Sequence, residues 1–239
     1  MCLLVLVGLL LPSFTGLVSA SHPPEDQSFT TPHSGVDFPV GWEDFSYFTG
    51  SGFTATQREY RLLYPAMTSG EGAEMAGNGP FPHVQFLIDS GESLGSYMDF
   101  ASRLVERGFM VAVHDDVLDS TDFTSILQHT AGVQRSMEQL NNTSSSTISG
   151  TFGQFDLNHW GVGGHGVGAA AAYGVYPYWM NSTLVGQVQP PRAVFGLGAD
   201  FEDWDDDHWD ELAPEDWIHS PASPAAGLFL TGSADEVFS

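Results

Sequence analysis

The sequence predicts an α/β fold, a mostly parallel sheet with helices on both faces. Three observations predict it. Short apolar runs at residues 83–88, 109–113, 159–163, 192–198 and 226–231 alternate with segments of helical length. The run 109–113 is apolar almost without a break, the pattern of a strand buried on both faces. A glycine-rich turn at 164–168 leads straight into the alanines 169–172, a strand bending into a helix.

Taken in order, residues 1–20 carry no charge and hold the apolar stretch 2–11, followed by Pro12, Gly16 and the small-residue pattern Val18-Ser19-Ala20. This reads as a secretory signal, because the apolar core is short for a span and the flank turns polar at once. The missing basic start leaves an uncleaved anchor open. Residues 21–55 are rich in Pro, Ser, Thr and Asp without a period, and read as a polar leader tied down by Phe38, Trp42 and Phe45. The remaining domain, 56–239, starts with a strand over 58–66 that ends at Pro65. A Gly-rich turn over 69–79 follows, then the strand 83–88. Tyr97, Phe100, Ala101, Leu104 and Val105 share one helical face, and Gly108 stops that helix. A second helix is expected over 123–140, capped by Thr121 or Asp122. After a polar linker come the strand 159–163, the bend, a helix to about Tyr176, and the last two strands.

Composition sets bounds on partners. The chain has 239 residues, 42% of them hydrophobic with 17 Phe and 6 Trp, enough for one sizeable core. All six basic residues are Arg, against 30 Asp plus Glu, for a formal charge of −24. Such a surface repels nucleic-acid phosphates and anionic membranes. Two explanations fit the acidic excess without lysine: hydration in concentrated salt, or an ordinary acidic exported protein. The single cysteine, Cys2, falls within the signal, so the mature chain holds no disulfide and no thiolate metal site. Sequons at Asn141, Asn142 and Asn181 agree with export.

Gly164-His165-Gly166-Val167-Gly168 has the spacing of a strand–turn–helix bend that presents a nucleophilic serine, but Gly166 stands where that serine would be. With Pro65 closing a YPA-type strand end, Ser96-Tyr97 … Ala101 … Leu104 … Gly108-Phe109, and Thr231-Gly232-Ser233-Ala234-Asp235, the ordered segments resemble the α/β-hydrolase family. Within it the dienelactone-hydrolase and cutinase-like polyester-hydrolase branch is the nearest match, over about residues 56–239. The resemblance implies Asp235 as the triad acid, Gly166 as the substituted nucleophile position, and backbone N–H groups of Val167 and Ser90 as oxyanion donors. It implies no cofactor and no metal, and a small ester-like or apolar ligand. It also implies a histidine beyond Asp235 and a last strand and helix, so the domain reads as C-terminally incomplete at Ser239. Removing one triad member costs orders of magnitude in rate, so turnover by a serine mechanism is not expected. Gly166→Ser is expected to restore it if acid, base and oxyanion donors survive.

Alternatives remain at several residues. An active esterase could draw its nucleophile from Ser90 or Ser93, given a base within reach; a non-enzymatic interaction module could use the fold as scaffold alone. His165 is either a substitute base or a residue packed beneath the bend. Gly161, Gly163 and Gly166 also satisfy GxGxxG, but late in the chain and with no acid between Asp156 and Asp200. The acidic run 200–211 reads as a solvated loop, with Ca²⁺ binding as the alternative. Its spacing does not fit an EF-hand. His83, His114, His129 and His159 show no ligand spacing.

Overall fold

In a computed structural model, the chain is described over residues 37–49, 56–77, 79–115, 132–133, 136, 154–181, 191–198 and 226–230. All of these belong to the unit Pro32–Ser239. The signal reading over 1–20, the linker, the acidic run 200–211 and Asp235 lie outside the described residues. Among the described residues no helix is long and apolar enough to cross a membrane.

The strands are β1 Val40–Thr49, β2 Thr56–Pro65, β3 Gly70–Glu71, β4 Phe81–Leu87, β5 Met110–His114, β6 Phe155–His165, β7 Ala193–Leu197 and β8 Ala226–Leu230. They form one sheet in the order β3-β1-β2-β5-β4-β6-β7-β8. β1, β2 and β5 pair antiparallel in succession, whereas β5, β4, β6, β7 and β8 run parallel. This is the expected α/β architecture. The helices are α1 Met98–Glu106, entered through the 3-10 turn Leu94–Tyr97, and α2 Val167–Asn181. Gly108, at φ 88°, adopts the left-handed conformation that ends α1, as the sequence predicts.

Helices cover both faces. Ala101 and Val105 of α1 are fully buried against Leu63, Val84, Phe86, Val111 and Val113. On β7 the neighbouring residues point to opposite sides: Phe195 packs into the α1 cluster, while Gly196 lies under Ala169 and Tyr173 of α2. β5 is buried along its whole length, as its unbroken apolar pattern predicts. Of the helix expected over 123–140, only Gly132, Val133 and Ser136 are described, and they are helical.

Within the stretch 21–55, read from sequence as leader, Val40–Thr49 is a ten-residue strand in full register with β2. Phe45 and Tyr47 alternate into the core there, beside Tyr60. The period was hidden because Trp42 and Phe48 occupy the other face, where Arg61 bonds both oxygens of Asp44 and lies 3.9 Å over Trp42.

A polar layer runs through the core on the face opposite α1. Tyr47 Oη lies 3.1 Å from His114 Nδ1, His114 Nε2 2.7 Å from Gln85 Oε1, and Ser136 Oγ donates to the same oxygen at 2.9 Å. His83, next along β4, stacks on Trp160 at 5.7 Å. Burial pushes both imidazoles down to about 3, since a charged ring would lose its hydration.

That depression fixes a pH dependence. In the unfolded chain the two histidines bind protons below pH ~6.5, while in the fold they stay neutral until about 3. Between those limits the unfolded state holds more protons, so stability falls as pH falls, by up to about 1.4 kcal/mol per pH unit for each ring. Urea unfolding from pH 7 to 4 should show this slope, reduced in His114→Gln.

Candidate active site at the bend after β6

Between β4 and β6 the sheet changes direction of growth, because the chain after β4 builds β5 on one side and β6 on the other. The carboxyl ends of two such strands frame a crevice, the usual location of sites in parallel sheets. Asp89 follows β4 here, and Gly166 follows β6.

The bend is tight for identifiable reasons. Gly166 has φ 51°, donates its N–H to Leu197 O at 2.9 Å, and accepts from Ala169 N at 3.1 Å to open α2. A Cβ on Gly164 would overlap the backbone of Gly168, and a Cβ on Gly168 would overlap the carbonyl oxygens of Leu87 and Ile88. The small residues flanking the bend therefore let strand, helix and β4 approach each other. Gly161 and Gly163 lie inside β6 instead of in a turn, which removes the dinucleotide reading.

Asp89 takes the place of the absent side chain. A Cβ built on Gly166 would coincide with the Asp89 carboxyl group. Its Oδ1 accepts the Val167 N–H at 2.9 Å and the Ser90 N–H at 2.8 Å. Val167 opens α2, where backbone N–H groups lack helical partners, and a carboxylate at that end gains about 1–2 kcal/mol when partly buried. The Asp89 N–H meets Tyr97 Oη at 3.2 Å, and Tyr97 Oη lies 2.9 Å from His165 Nδ1. His165 Nδ1 stands 3.7 Å from Asp89 Oδ2.

Four of the five residues singled out in the sequence gather here: Gly166, His165, Val167 and Ser90. Asp235 lies outside the described residues. The Val167 and Ser90 N–H groups do converge on one point, and that point is occupied by Asp89 Oδ1. His165 does not pack beneath the bend; its side chain is 42% exposed and flanks Asp89. Among the described residues the Ser90 and Ser93 hydroxyls make no hydrogen bond to an imidazole. No group of three or more His, Cys, Asp or Glu arranged to hold a metal ion occurs among the described residues.

Sequence reasoning missed Asp89 and Tyr97 as members of the site. In the sequence Asp89 is only the neighbour of the expected oxyanion donor Ser90, and Tyr97 only part of the apolar face of α1. The available signal was the glycine itself, since an emptied position at a tight bend must be filled by something.

Restoring the hydroxyl is therefore not a one-residue change. Gly166→Ser should lose about 2–4 kcal/mol, from overlap with Asp89 and from a left-handed φ. Adding Asp89→Gly should recover at least about 1 kcal/mol of that loss, a coupling that urea titration of both single variants and the double variant would measure.

No family profile and no curated protein matches the chain. Among solved structures it is similar to a ferulic acid esterase from Streptomyces cinnamoneus, with a TM-score of 0.54 at 14% identity. The alignment covers 83% of this chain and 75% of that one. The mostly parallel eight-stranded sheet with helices on both faces, the bend after β6 and this likeness together show an α/β-hydrolase-like fold.

Proposed function

We propose that the protein is an exported relative of carboxylic-ester hydrolases that has lost serine-type turnover and keeps a crevice for an ester-like or small apolar ligand. One observation carries this reading. The position that would hold the attacking hydroxyl is Gly166, and the Asp89 carboxylate both fills its space and occupies the Val167 N–H. A substrate carbonyl oxygen would have to displace a charged group from that donor before any oxyanion could be stabilised. The reading of residues 1–20 as a signal supports export.

The test is chemical. Full-length protein treated with a serine-directed fluorophosphonate should remain unlabelled, and short-chain nitrophenyl esters should give neither a burst nor steady release above buffer. Stoichiometric labelling of one serine would overturn the reading.

A further inference from the structure

We draw no further inference here: the strongest candidate, the Asp156–His159 side-chain pair at the end of β6 opposite the crevice, is a carboxylate–imidazole couple at 2.7 Å that no third metal-ligating side chain completes among the described residues.

Discussion

A single carboxylate oxygen sets the character of this molecule. Asp89 Oδ1 sits on the first N–H of α2 and on the N–H of Ser90, directly above a glycine that leaves the space. A helix start near the sheet centre has unpaired donors and a positive end, and something must satisfy them. In this chain a negative group just past the end of the neighbouring strand β4 does so. The same contact explains why a glycine is required at 166, why the donors are occupied, and why His165 stands beside a carboxylate instead of a hydroxyl. Removing the aspartate or adding a side chain at 166 disturbs all three together.

The surrounding fold delivers that contact through close approach. Gly164 and Gly168 let β6, α2 and the end of β4 touch backbone to backbone, and Gly163 leaves room for the ring of Phe195 beside Phe86. Alanines at 169–172, all fully buried, continue the same economy of volume along α2. Larger residues at these points would force the strand ends apart by more than a hydrogen bond tolerates.

Much of the fold was legible because its signals are local. Alternating apolar runs located β4, β5, β6, β7 and β8, the face from Tyr97 to Val105 with Gly108 located α1, and the glycines of 164–168 located the bend. β1 escaped because its aromatic residues lie on both faces, Phe45 and Tyr47 in the core beside Tyr60, Trp42 against the α1 cluster and Phe48 in solvent, which erases a two-residue period. The site escaped for a different reason. Asp89 and Val167 are 78 residues apart, and no periodicity links a loop acid to a distant backbone N–H. A resemblance to serine hydrolases directed attention to the missing hydroxyl, although the informative residue was its replacement.

The alternation along β4 has a mechanical meaning. Its even residues Val84 and Phe86 are apolar and meet α1, while on the other face Gln85 holds the polar contacts with His114 and Ser136 and His83 stacks on Trp160. A slip of one position would drive the Gln85 amide into the α1 hydrocarbon cluster and a phenyl ring into the polar row. β4 is thereby graduated like a ruler: Leu87 pairs with Gly164, and the chain beyond it is cut to the height at which Asp89 meets α2. The buried polar row, far from the crevice in function, keeps that measurement true.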